Sequence, residues 1–235
     1  MKKNIALICA ILMVFGLAGC RGSDKGDEQN STQPSESIHV YDPQKENAIP
    51  TEDLTRYAED TGALTNYRVA CIRTSDVESV TTIVLHDGKD EQRQRILYNT
   101  INPDGAMMLT KNIEYRFVYS ESKRYTMVDD TYQPEDYTFE MSAANTTLAY
   151  MVDSIVEQGF FAAILEGMNS ATYNIIHDNY ELNDISFVVG EETVNFNDVA
   201  VVIRGDYVRS ISCTNGTQSV YIEVTGINDV NFDEK

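Results

Sequence analysis

The sequence predicts an α+β protein built on a curved antiparallel β-sheet covered by helices. Three observations predict it. Residues 66–128 and 185–225 carry strand patterning broken by turn formers. Residues 148–168, between those two blocks, carry apolar side chains at three-and-four spacing. Residues 50–61 read as a short helix ahead of both. A helix that is apolar on one side must bury that side, and the simplest partner is one face of the sheet.

The first helix is expected from Pro50 to Thr61, with Thr51 as N-cap, Glu52 and Asp53 at the positive end of the dipole and Gly62 closing it. Residues 66–74, 79–86 and 93–101 follow as strands, with Asp87-Gly88 and Asn102-Pro103-Asp104-Gly105 as the turns between them. Residues 106–120 read as a strand pair or one long strand. Within it Ile113, Tyr115, Phe117 and Tyr119 alternate with Glu114, Arg116, Val118 and Ser120, the pattern of a half-buried antiparallel strand with one aromatic face. Residues 124–128 return after the short connection Glu121-Ser122-Lys123.

The period then changes. Leu148, Met151, Val152, Ile155 and Val156, and later Phe160, Ile164, Leu165 and Met168, form an amphipathic helix stripe that Gly159 bends or divides. Residues 171–180 fit either a strand or a helical turn. The tail returns to β structure at 185–189, 198–204, 206–214 and 218–225, with hairpin turns at Gly205-Asp206 and Asn215-Gly216.

Ahead of this body lies a secretory segment. Met1-Lys2-Lys3 is a positive n-region, Ile5 to Leu17 an apolar stretch too short to span a bilayer, and Ala18-Gly19 the small pair before a cut. Leu17-Ala18-Gly19-Cys20 resembles the lipobox of bacterial lipoproteins, which implies that Cys20 becomes a lipid-modified N-terminus holding the chain to the extracytoplasmic face of a cell-envelope membrane. The expected organisation is a signal peptide over 1–19, a lipid-anchored flexible tether over 20–44 and one domain over 45–235. Residues 21–37 contain no aliphatic or aromatic side chain, so they cannot bury apolar surface; seventeen such residues span roughly 20–25 Å.

The chain holds 18 basic against 37 acidic residues, and loss of the signal peptide removes two of the basic ones. That balance excludes a nucleic-acid partner, which needs clustered Lys and Arg, and keeps the protein body off anionic lipid. Of the four cysteines, Cys71 and Cys213 remain in the body, each on the apolar face of its strand. An exported pair of this kind can be bridged, and a disulfide between them is the expectation.

No catalytic set is legible. His39, His86 and His177 keep no zinc-ligand spacing, and no nucleophile elbow or phosphate-cradling glycine loop is present. His177-Asp178 reads as a surface pair, and the acidic runs Asp129-Asp130, Glu135-Asp136 and Asp229 with Asp233-Glu234 as solvated loops. The expectation is a protein that is not an enzyme and carries no cofactor and no metal.

The order of elements, with the tyrosine-rich segment 113–128 and the closing hairpins of 199–230, resembles the LolA/LolB superfamily of bacterial carrier and acceptor proteins, which includes glycolipid-binding lipoproteins of mycobacteria. The resemblance covers nearly all of residues 50–232. It implies a half-open antiparallel barrel whose helices lid an apolar cavity for acyl chains. The chain has no tryptophan, and no basic residue maps onto a ligand contact of that superfamily, so no functional residue is carried across.

The candidate cavity comes from this chain's own side chains. Tyr115, Phe117 and Tyr119 on one strand face, opposite Leu148, Met151, Val152, Ile155, Phe160 and Phe161 of the helix, are expected to line it. The alternative for the same residues is a filled core. Two functions follow: a membrane-anchored lipoprotein binding a lipid or other apolar ligand, or an interaction or sensor module that meets a protein partner of the cell envelope.

Overall fold

A computed structural model describes residues 48–138 and 143–232. The expected signal peptide, the expected anchor Cys20, the expected tether and the acidic end Asp233-Glu234 lie outside the described residues. Among the described residues three α-helices, α1 (Thr51–Gly62), α2 (Leu148–Ile155) and α3 (Phe160–Met168), accompany twelve strands. The strands are β1 (Asn66–Thr74), β2 (Glu78–Asp87), β3 (Glu91–Ile101), β4 (Met107–Val118), β5 (Lys123–Val128), β6 (Thr131–Asp136), β7 (Thr172–Asn174), β8 (Asn179–Glu181), β9 (Ile185–Val189), β10 (Glu192–Arg204), β11 (Tyr207–Thr214) and β12 (Ser219–Thr225).

They form one open antiparallel sheet in the order β6-β5-β4-β3-β2-β1-β12-β11-β10-β8-β7, with β9 pairing the first half of β10. The first and last of these strands, β1 and β12, lie side by side in the middle, Val69 opposite Val224. Asp198 adopts φ 51°, and the register shifts between Asn197 and Ala200. Such a bulge bends β10, which turns from β9 towards β11 and β8.

The segment 106–120 thus holds one long strand, Met107–Val118, and 171–180 holds most of the hairpin β7–β8. The sixth strand, Thr131–Asp136, was hidden by Pro134. It is an edge strand, where a missing N–H costs no ladder bond. Asp129 and Asp130 turn the β5–β6 hairpin with φ 48° and 59°. Its ion pairs, Lys123–Asp136 and Arg124–Glu135, occupy the acidic run.

At α1 two expectations are corrected. Pro50, not Thr51, is the N-cap and supplies no side-chain cap bond. Gly62 lies inside the helix and serves packing, since a Cβ there would sit 2.6 Å from Phe161 Cε1. Gly159 does divide the second helical block: at φ 91° it separates α2 from α3, which are bent 117° apart. No single helix among the described residues is long and apolar enough to cross a membrane, and most apolar side chains of the bent pair are core.

The expected disulfide is not formed. Cys71 and Cys213 are free and buried. Cys71 pairs with Ile222 and Cys213 with Val220, so the whole of β12 lies between them. Two strand spacings are about 9–10 Å, beyond the roughly 7 Å that a disulfide tolerates between Cα atoms. Sequence places both on the apolar face of a strand; strand order keeps them apart.

Candidate functional site: an aromatic extension of the helix-packed face

Directly paired residues in an antiparallel ladder share a face, so the register traces one face across six strands. One row runs Tyr67, His86, Gln92, Phe117, Arg124 and Glu135. The next runs Val69, Val84, Gln94, Tyr115, Thr126 and Gln133, and a third Cys71, Thr82, Ile96 and Ile113.

The helices sit over part of this face. α1 packs on β11, α2 on β1 and α3 on β9, and α1 also touches α2 and α3. Under them Tyr67, Val69, Val84 and Ile222 of the sheet are fully buried, as are Leu148 of α2 and Phe160 of α3. Towards β3 and β4 the same face opens: Gln94, Ile96, Ile113, Tyr115 and Tyr119 are half-buried. The pattern is a closed core continuing sideways into a partly covered aromatic surface.

The residues expected to line the cavity are placed as follows. Leu148, Met151, Val152 and Phe160 belong to the core cluster, with Ile155 packed against it and Phe161 buried beside Gly62. Tyr115, Phe117 and Tyr119 lie on the same face three strands from β1, about 14 Å sideways. The two sets share one face of the sheet, and Tyr119 lies near enough to Tyr150 of α2 to interact with it electrostatically. Period two and period 3.6 identify which side chains point inwards; which strand a helix lands on is a tertiary fact.

The aromatic strip is internally ordered. Tyr115 and Phe117 approach at 5.9 Å between ring centroids, and Tyr137 meets Phe117 edge-on at 5.7 Å. The Arg124 guanidinium lies over both Tyr115 and Tyr137, at 5.2 and 5.0 Å. Aromatic pairs and cation–π contacts of this geometry hold rings in fixed orientation. At the lower end Tyr119 joins the core through His86, which is tilted against Tyr119 at 5.7 Å and stacked on Tyr67 at 5.8 Å. The Tyr119 hydroxyl donates to Gln92 Oε1 at 2.9 Å, and burial pushes its pKa well above the usual phenol value. Sequence reasoning missed His86, Gln92 and Ile96 as members; their parity along β2 and β3 was legible, but only the register aligns it with β4.

The opposite face at the same end holds a groove of about 740 Å³ lined by Asp87, Lys89, Arg93, Arg116, Glu121 and Phe232, among others. Its acids are spent internally. Glu91 accepts from Arg93 and Arg116 at 2.7 Å each, Asp87 Oδ1 accepts three successive backbone N–H groups, and Glu121 accepts the Tyr125 hydroxyl. Elsewhere His177 is exposed on the β7–β8 turn, while Asp178 accepts from Tyr173 and Arg204, both at 2.7 Å. No group of three metal-ligating side chains gathers among the described residues.

No protein-family profile and no curated protein matches this chain. Among solved structures, LprF from Mycobacterium bovis superposes with a TM-score of 0.44 at 12% identity, covering 79% of this chain and 95% of that one. The Mycobacterium tuberculosis lipoprotein LppX superposes with a TM-score of 0.38 at 12% identity, covering 78% of this chain and 97% of that one. At that level of likeness nothing passes from those proteins to this chain.

Proposed function

We propose that this protein is a non-catalytic lipoprotein of the cell envelope, anchored through Cys20, that holds a lipid or other apolar ligand on the aromatic extension of its helix-packed face. The reading keeps the kinship with LolA/LolB-like carriers as a matter of architecture and assigns the ligand surface from this chain's own residues. The observation that carries it is the rise in exposure along one continuous face. Val69 and Val84 are 0% exposed, whereas Ile96, Ile113 and Tyr115 on the same face are half-buried. A partly wet apolar and aromatic surface beside a dry core is the usual chemistry of a small-molecule site.

Native mass spectrometry of the mature chain, extracted from membranes, tests this. An added mass that organic solvent removes supports the ligand reading, and a bare chain contradicts it. Cys20→Ala is expected to shift the protein out of the detergent phase, because acyl chains supply the membrane affinity; unchanged partitioning contradicts the anchor.

One observation favours the second reading, an interaction module. The start of β4 extends beyond the strand that pairs its other end, β5, and there Met107, Met108 and Leu109 are 61%, 55% and 56% exposed. A strand edge of that composition suits strand addition by a protein partner.

A further inference from the structure

The sheet guards one of its open backbones and leaves another bare. β6, the outermost strand beyond β5, carries Pro134 and the ion-paired acids Glu135 and Asp136, which discourage a further strand. The first half of β4 has no such protection. β3 pairs with β4 from Met107 to Val118, but β5 pairs only with Tyr115 to Val118 before the chain turns at Asp129-Asp130 into β6. Residues 107–112 are therefore a second edge, about 20 Å long. All six are exposed, and among the described residues their backbone is bonded to β3 alone. Alternate residues of such a run turn their N–H and C=O groups to the open side.

The side chains of this edge are apolar on both faces. Met108 is paired with Thr100 on the helix-packed face, while Met107 and Leu109 stand on the other, and each of the three is more than half exposed. Lys111 is the one charged residue of the run, and it does not guard the edge. Its ammonium lies back over the Tyr98 ring of β3, at 5.7 Å.

Charge selects the occupant. The vacant strand line runs from Asp129-Asp130 at the β5–β6 turn to Asp104 in the turn between β3 and β4, and all three aspartates are exposed. A second copy, paired antiparallel about a two-fold axis, would set each copy's Asp129-Asp130 beside the other's Asp104. That adds repulsion at both ends to a chain already holding 37 acidic against 18 basic residues. A segment of another protein with a basic residue at each end is attracted at both, in either strand direction.

We propose that residues 107–112 take up, as an added β-strand, a six-residue apolar and β-branched segment of a partner protein that is flanked at both ends by Lys or Arg. The proposal rests on the interaction-module reading above and adds to it the conformation, length and charge of the partner segment.

Amide hydrogen exchange of the full mature chain with synthetic peptides tests it. The first peptide is Lys-Val-Thr-Val-Thr-Val-Thr-Lys with blocked ends, and the second carries Glu in place of both Lys. The lysine peptide should slow exchange over residues 107–112 and bind about tenfold more tightly than the glutamate peptide. N-methylation of its six central residues should abolish this protection, because main-chain hydrogen bonds supply the affinity of an added strand. Equal binding of the lysine and glutamate peptides overturns the proposed partner and leaves the interaction reading intact. Undiminished binding of the N-methylated peptide overturns strand addition itself. If neither peptide slows exchange at this edge, the interaction reading fails there and the proposal with it. Protection that exists without peptide and disappears on dilution assigns the edge to a second copy, which also overturns the proposal.

The charges can be tested on the protein side. Asp129 and Asp130 adopt φ 48° and 59°, a conformation that Asn tolerates, so the turn survives their replacement. Asp104→Asn, Asp129→Asn and Asp130→Asn together should bring the two peptides within about twofold of each other. A tenfold preference that survives in this variant overturns the proposal.

Discussion

Asp153 holds Phe161 at the start of α3: its Oδ1 accepts the Phe161 backbone N–H at 2.7 Å, while Oδ2 accepts that of Gly159 at 3.1 Å. One carboxylate from α2 thereby satisfies two amides that the first turn of α3 leaves without intrahelical partners. This pair fixes the bend that carries both helices onto the sheet.

Asp153→Ala should therefore cost about 1–3 kcal/mol in urea unfolding, because it leaves buried amides unmet. The titration of Asp153 runs against this gain. Burial raises its pKa above the ordinary aspartate value, opposed by the two backbone bonds. A carboxyl whose folded pKa is raised stabilises fully below the unfolded value and loses that contribution as pH rises through the folded one. The stability advantage of wild type over Asp153→Asn should accordingly shrink from acid towards neutral pH. An advantage that grows over that interval contradicts the assignment.

Gly159 occupies φ 91°, and a Cβ there would lie 3.3 Å from Phe187 Cδ2. Gly159→Ala should lower stability by about 1–3 kcal/mol, from backbone strain and from pressure on the Phe187 ring. A thermal midpoint unchanged from wild type contradicts the conformation at this residue.

The thiols of Cys71 and Cys213 are each pushed up to about 12 by burial. Iodoacetamide should label neither in the native protein at pH 8, since the thiolate is the nucleophile. Denaturation without reductant should expose both to label. Mass spectrometry that finds them unlabelled after denaturation would reinstate a disulfide and overturn the strand order that separates them.

Met151 is 7% exposed within the core cluster. Met151→Trp should therefore overpack and cost about 1–3 kcal/mol. Tyr115→Ala, on the half-buried strip, should weaken retention of an apolar ligand and change stability less. The reverse outcome, a neutral Met151→Trp that abolishes ligand retention, would place the site beneath the helices.

How much of this was legible can be judged from particular elements. The bounds of β1 were readable at Asn66 and Thr74 because a turn signal flanks each end, and β12 was readable because Asn215-Gly216 precedes it. The edge strand Thr131–Asp136 was not, since propensity penalises its Pro134 and its acids, whose pairing with Lys123 and Arg124 exists only in the folded hairpin. Of the site, the aromatic parity of Tyr115, Phe117 and Tyr119 was readable, and the partners His86 and Gln92 were not.

The sequence by itself carries the expectation of a secretory, lipobox-like start, the acidic balance, most of the strand alternation and a helical stripe bent or divided at Gly159. These depend on local periodicity, on backbone freedom and on composition, all of which a chain carries before it folds. Only the tertiary structure decided that β12 parts the two cysteines, that the helix stripe packs over β1 while the aromatic strip runs along β4 three strands away, and that one ring nitrogen of His86 has no partner among the described residues. Each of those is a relation between residues far apart in the chain, set by strand order and register, which no local pattern encodes.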